Sequence, residues 1–142
     1  MANAVDWKNY AFNELSLDKV KALWPVRPKF WGWVNGMYIA GNDDFIALRF
    51  KHGANYESVT RELWRRLCAT AELVADVGTH SGIFSLDAYR AGAKFVVAAE
   101  PHPINYARLL MNLRYNEFDP AGVFYCAIGD KDCVSELVIH GP

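Results

Sequence analysis

The stretch Asp76-Val77-Gly78-Thr79-His80-Ser81-Gly82 and the carboxylate Glu100, 24 residues after Asp76, are the residues of this chain best suited to chemistry. Glycines in such a stretch let the backbone turn tightly and let a ligand come close to it. Amides left unpaired where a helix begins favour a carboxylate or a phosphate. A carboxylate at the end of the following strand can accept hydrogen bonds from both hydroxyls of a ribose. Together these residues describe a site for a nucleoside-bearing cofactor at the C-terminal edge of a parallel sheet. The dinucleotide fingerprint G-x-G-x-x-G is not met, because His80 stands where a second glycine would bring the backbone to a pyrophosphate. The spacing therefore weighs against a nicotinamide dinucleotide. S-adenosyl-L-methionine has no pyrophosphate, and Asp76 can orient its cationic sulfonium and amino end through hydrogen bonds or water.

The elements that must carry these residues follow from the apolar pattern. Leu73–Val77 is a short, nearly continuous apolar run, as expected of a strand buried on both faces. A helix over 83–90 closes at Gly92, and residues 94–99 form a second buried strand. Pro103 suits the first turn of a helix ending near Tyr115, with Ile104, Ala107, Leu110 and Met111 on one face. Residues 122–128 read as a third strand and 135–140 as a fourth. Strand and helix alternating in this way predict an α/β, Rossmann-like, doubly wound, mainly parallel sheet. Upstream, Ser16 caps a short helix with Leu17, Val20, Leu23 and Trp24 on its apolar side, stopped by Pro25 and Pro28. Residues 37–40 and 45–50 read as two strands joined through Gly41. Asn55 is placed to cap a helix over 56–69 that would turn Val59, Leu63 and Leu67 to the core. The division expected is a 1–55 N-terminal extension, with a short helix and a β-hairpin, and a 56–142 partial cofactor-binding domain.

The stretch 76–82 resembles motif I of class I S-adenosylmethionine-dependent methyltransferases. Glu100-Pro101-His102-Pro103-Ile104-Asn105, continued by Leu109, Leu110, Asn112 and Asn116, resembles the E-P-x-P-x-N…L…N…N run of the FkbM-like family. Tyr56-Glu57 and Ala127-Ile128-Gly129-Asp130 are similar to that family as well, and the resemblance covers about residues 38–140. It implies O-methylation of a hydroxyl on a sugar or small metabolite. It also implies that Asp76, Gly78, Thr79, His80 and Gly82 line the methionine and ribose part of the cofactor. Glu100 would hold the ribose hydroxyls, Pro101 and His102 would border the adenosine, and Ala127 and Ile128 the adenine. His80 departs from the asparagine frequent in the family, a polar-for-polar change. The resemblance also implies seven strands, of which this chain supplies three and one further strand. The expectation is a fold truncated after its first three βα strands, completed by a homo-oligomer or a partner, or covered by the aromatic-rich N-terminal extension. A catalytic residue is not named by the sequence.

Structural roles compete for each of these residues. Gly78 and Gly82 would make a tight strand–helix turn in any α/β domain, and Pro101 and Pro103 would shape the start of a helix. His80 and His102 as general bases would need reach to a substrate hydroxyl, which spacing alone does not establish. Asn105, Asn112 and Asn116 read as helix-surface or capping residues, Asn116 as a C-cap. Cys126 and Cys133 read as buried small hydrophobes, and His52 and His140 as surface residues.

Composition narrows the classes. The chain has 142 residues, 52% hydrophobic and 22% charged, enough for one domain with a core and too ordered in composition for general disorder. A net charge of −1 gives no reason to expect a nucleic-acid groove. Residues 1–70 carry ten basic and seven acidic residues, and residues 71–142 five and nine, so the cofactor half is the acidic one. All five tryptophans lie in the first half. No apolar run approaches the roughly 20 residues that cross a bilayer, and no secretory leader is visible, so a cytoplasmic protein without membrane contact is expected. Three scattered cysteines form no C-x-x-C pair, and no metal-ligand spacing is present. Two other readings share these features: a nicotinamide-dependent oxidoreductase, and a non-catalytic, self-associating methyltransferase remnant.

Overall fold

A computed structural model describes residues 31–34, 37–40, 46, 49, 52 and 56–138. Strands β1 (Trp31–Val34) and β2 (Met37–Ala40) pair antiparallel. Helix α1 (Ser58–Cys68) leads into β3 (Leu73–Val77) and α2 (Ile83–Ala91). Strand β4 (Phe95–Ala99), helix α3 (Pro103–Tyr115), a 3-10 turn (Pro120–Gly122) and β5 (Val123–Phe124) follow. The second sheet has the order β3-β4-β5 and both of its pairings are parallel. The architecture is α/β, with three parallel strands and three helices, compatible with a segment of a Rossmann-like fold.

Local chemistry accounts for the boundaries. Gly92 takes φ 103° and ends α2, because a left-handed residue at that point costs glycine nothing sterically. Pro103 opens α3, where its missing N–H would have had no partner, and Asn116 is the C-cap. Gly122 lies against β4 so closely that a Cβ would stand 2.3 Å from the Val96 carbonyl oxygen. Only glycine lets the chain enter β5 at this point.

The core forms on one face of the sheet. Val74, Val96, Ala98 and Val123 point to the helices and join Leu86, Leu109, Leu110, Met111 and Leu113 in two buried clusters. Met37 and Ile39 of β2 belong to the larger cluster, so the small hairpin is packed against α3. The opposite face carries Leu73, Val77 and Phe95, which are 63%, 60% and 67% exposed. A doubly wound sheet would cover both faces. Here the described helices cover one.

Further expectations are corrected. The strand expected over 45–50 is not one, since its described residues Ile46 and Arg49 are helical. β2 pairs instead with Trp31–Val34, its nearest upstream neighbour in sequence, which needs a shorter connection. The third strand is reduced to Val123–Phe124, and the described part of the fourth, 135–138, has no regular structure and no ladder partner. Cys126 and Cys133 are exposed, while Cys68 is buried. Helix α1 is present, but Val59, Leu63 and Leu67 face outward at 82%, 57% and 62% exposure. The reason is the opposite side of the helix. Arg61 Nε and Nη2 donate to the buried Asp87 carboxylate at 2.6 and 3.0 Å, and Trp64 Nε1 donates to the Phe84 carbonyl at 2.9 Å. A bidentate ion pair and a tryptophan anchor α1 to α2 and decide its rotation. The helix starts at Ser58 with Glu57 as its N-cap, at φ 46° and with no side-chain cap, in place of the cap expected at Asn55. The helix expected to be capped by Ser16 and the surface position of His140 lie outside the described residues.

Candidate functional site

The C-terminal ends of β3 and β4 lie side by side in parallel register, with Asp76 opposite Ala98 and Val77 opposite Ala99. The chain leaves β3 while still bound to its neighbour, because the N–H groups of Gly78 and Thr79 donate to the Ala99 carbonyl at 2.9 and 3.2 Å. Gly78 has φ 75°, His80 φ 55° and Gly82 φ 87°. These positive values wind the turn back so that Gly82 becomes the N-cap of α2. The two glycines differ in their reasons. A Cβ on Gly82 would stand 2.4 Å from Leu109 Cδ1, so this position is small because α3 packs on it. A Cβ on Gly78 would meet nothing within 4 Å, so the backbone there is open to a ligand. His80 is not glycine, yet histidine and asparagine are among the non-glycine residues that tolerate this left-handed region.

Glu100 is 5% exposed and is held from both sides. The His80 N–H donates to its Oε2 and the His102 N–H to its Oε1, each at 2.8 Å. One carboxylate thus ties the turn after β3 to the turn after β4. Each oxygen keeps capacity for one further hydrogen bond. His102 caps α3 through its side chain: Nδ1 accepts from the Ile104 and Asn105 N–H groups at 3.2 and 3.5 Å. Burial pushes the His102 pKa down, Glu100 opposes this, and Arg108 and His80 add to the fall.

Asp76 lies on the other side of the turn. Its Oδ2 accepts from the Ser85 hydroxyl at 2.6 Å. Burial pushes its pKa up, the Ser85 hydroxyl and amide lower it, and the Glu100 charge raises it further. A carboxylate desolvated in this way gains from a cation. Thr79 is buried, and its hydroxyl has no hydrogen-bond partner among the described residues.

The structure therefore brings Asp76, Gly78, Thr79, His80, Gly82, Glu100, Pro101 and His102 to one rim of the sheet. Ala127 and Ile128 are not in a strand and are exposed on irregular chain beyond β5. Three contributors were not anticipated. Ser85 orients Asp76. Asn112, fully buried, donates from Nδ2 to the Ser81 carbonyl at 2.8 Å and fixes the turn from behind. Tyr125 packs on Tyr106 with ring centroids 5.3 Å apart. Burial, then the Glu100 charge, raises its phenol pKa. Asn112 had a legible signal, a polar residue between the apolar Leu109-Leu110-Met111 and Leu113. Ser85 and Tyr125 had none beyond their types.

Among the described residues no cluster of three metal-ligating side chains occurs, and no helix is long and apolar enough to cross a membrane. Comparison of the chain with protein-family models, with curated proteins and with solved structures finds no match.

Proposed function

We propose that this chain binds S-adenosyl-L-methionine as part of a methyltransferase of the FkbM-like kind, acting in the cytoplasm on a hydroxyl of a sugar or small metabolite. The observation that carries the reading is the pair of carboxylates, Asp76 and Glu100, on adjacent parallel strand ends, flanking a turn whose Gly78 backbone is open. When bound, the cofactor supplies an electrophilic methyl group on a cationic sulfonium. Asp76, desolvated and with a raised pKa, suits the cationic end of that molecule. The unpartnered Thr79 hydroxyl offers a donor and an acceptor in the same turn. Glu100 fits in part: its free lone pairs can take ribose hydroxyls, while its other acceptor positions hold the His80 and His102 amides. The role of the chain is to orient and hold the donor, since methyl transfer depends mainly on positioning.

Calorimetric titration tests the reading. S-adenosylmethionine and S-adenosylhomocysteine are expected to bind, NAD not to. Asp76→Asn should weaken S-adenosylmethionine more than S-adenosylhomocysteine, which lacks the sulfonium charge. Preference for NAD would replace this reading with an oxidoreductase, and the left-handed His80 where that fingerprint needs glycine speaks against it. Binding without transfer of a labelled methyl group to sugar acceptors would favour the non-catalytic reading.

A further inference from the structure

Helix α1 presents two faces with unlike fates. Its inner side is fastened by the Arg61–Asp87 pair and by Trp64. Its outer side carries Val59, Leu63 and Leu67, spaced four apart, so they form one stripe along the helix. Each is more than half exposed, and an open depression on this side is lined by Ser58, Val59, Glu62, Leu63 and Arg66. Isolated exposed apolar residues are ordinary on protein surfaces, whereas a continuous stripe on a regular helix marks a contact surface.

The charges beside the stripe say what fits it. Glu62 precedes Leu63 and Arg66 precedes Leu67, so both lie on the same flank. They pair within the helix, Arg66 Nε to Glu62 Oε1 at 2.8 Å, and both remain half or more exposed. Now let a second copy of α1 approach antiparallel, about a two-fold axis at Leu63. Leu63 meets the partner's Leu63, and Val59 meets the partner's Leu67. The two-fold axis keeps each flank on its own side. Glu62 then lies between the partner's Arg66 and the partner's Glu62, each at an axial offset of two residues, about 3 Å at 1.5 Å rise per residue, so two Glu62–Arg66 attractions stand against one Glu62–Glu62 repulsion. Both side chains are long enough to span that offset. The reciprocal pair forms on the same flank. The stripe and its charges are thus their own complement, as an isologous interface requires. The bare sheet face offers apolar residues without such a pattern. We propose that α1 is a self-association surface, on which two copies of this chain pack helix against helix through Val59, Leu63 and Leu67, aligned by reciprocal Glu62–Arg66 pairs. This inference is independent of the cofactor reading.

Sedimentation of the full chain over a concentration series tests it, with circular dichroism confirming that each variant is folded. The native chain is expected to show a monomer–dimer equilibrium. Leu63→Glu changes an exposed side chain outside the core and should weaken the dimer by roughly tenfold or more. Glu62→Arg alone places two like-charged pairs across the seam, and so does Arg66→Glu, so each should dissociate. Mixed together, these two variants restore two opposite-charge pairs and should form a heterodimer. Val77→Thr on the bare sheet face should leave the dimer unchanged. A chain that is monomeric at every concentration overturns the proposal. So does a dimer indifferent to Leu63→Glu, one lost with Val77→Thr, or a mixture that associates no better than either charge variant alone.

Discussion

Strands β3 and β4 are apolar on both sides, yet their two faces meet different surroundings. On one, Val74, Val96 and Ala98 are closed off by α1, α2 and α3. On the other, Leu73, Val77 and Phe95 are exposed. Apolar content alone therefore does not decide which residues contribute to stability. The covered face is fixed by a few polar fasteners as well as by packing: Arg61 and Trp64 from α1, Asp87 on α2, and Asn112 on α3. The bare face has no such fastener among the described residues. The helices were placed by groups that can accept or donate only in one arrangement, and the sheet face they left behind is the one without these groups.

The largest effects belong to the covered face. Asp87→Ala should cost about 3–5 kcal/mol, because it leaves the Arg61 guanidinium buried without its carboxylate. Leu86→Ala, at a fully buried position, should cost about 2–5 kcal/mol through lost transfer energy and the cavity left behind. Denaturant unfolding measures both. Losses under about 1 kcal/mol at both positions would mean that the two faces are not energetically distinct.

The turn itself sharpens the contrast at the next scale. Gly82→Ala must place a methyl group against Leu109 at a left-handed φ and should cost about 2–3 kcal/mol. Gly78→Ala meets open space and carries only the left-handed penalty, about 1–2 kcal/mol. Its ligand affinity should nevertheless fall further than that of Gly82→Ala relative to the stability lost. The reverse order would place the ligand on the α3 side of the turn.

These elements also show what could be read in advance. β3, α2, β4 and α3 were legible to within a residue or two, since short apolar runs and the local signals Gly82, Gly92 and Pro103 specify them. The adjacency of Asp76 and Glu100 was legible too, because alternating strands and helices imply parallel neighbours. The rotation of α1 was not. The stripe Val59, Leu63, Leu67 is what a core-facing helix shows, and the overriding Arg61–Asp87 contact spans 26 residues. The two amides on Glu100 were hidden for a similar reason, since main-chain donors leave no mark in a residue pattern. The close approach of Gly122 to Val96, a tertiary fact, was equally hidden.

A smaller effect should appear with pH at the fastened end of α3. His102 has a pKa held below its ordinary 6.5, so the unfolded chain binds this proton more readily than the folded one. Stability from this group is fully present above about pH 6.5 and is lost as pH falls from there through the folded pKa. Protonation also removes Nδ1 as the acceptor for the Ile104 and Asn105 amides, so the cap and the titration are the same event. Asn at this position can cap without titrating. His102→Asn should therefore flatten the slope of stability below about pH 6.5 while leaving neutral stability within about 1 kcal/mol. An unchanged slope would assign the pH dependence to another group.

The smallest effect is expected on the bare face, and it completes the comparison. Phe95→Thr and Val77→Thr place a β-branched side chain suited to a strand at each position and remove apolar surface that meets water. Little burial is lost, so unfolding free energy should move by no more than about 0.5 kcal/mol. Surface hydrophobicity should move more. Binding of an apolar fluorescent dye should fall with each substitution and further in the double variant, since such patches are what the dye detects. Loss of stability comparable to that of Leu86→Ala would mean that this face is covered in solution. The two faces would then differ in what covers them rather than in whether they are covered.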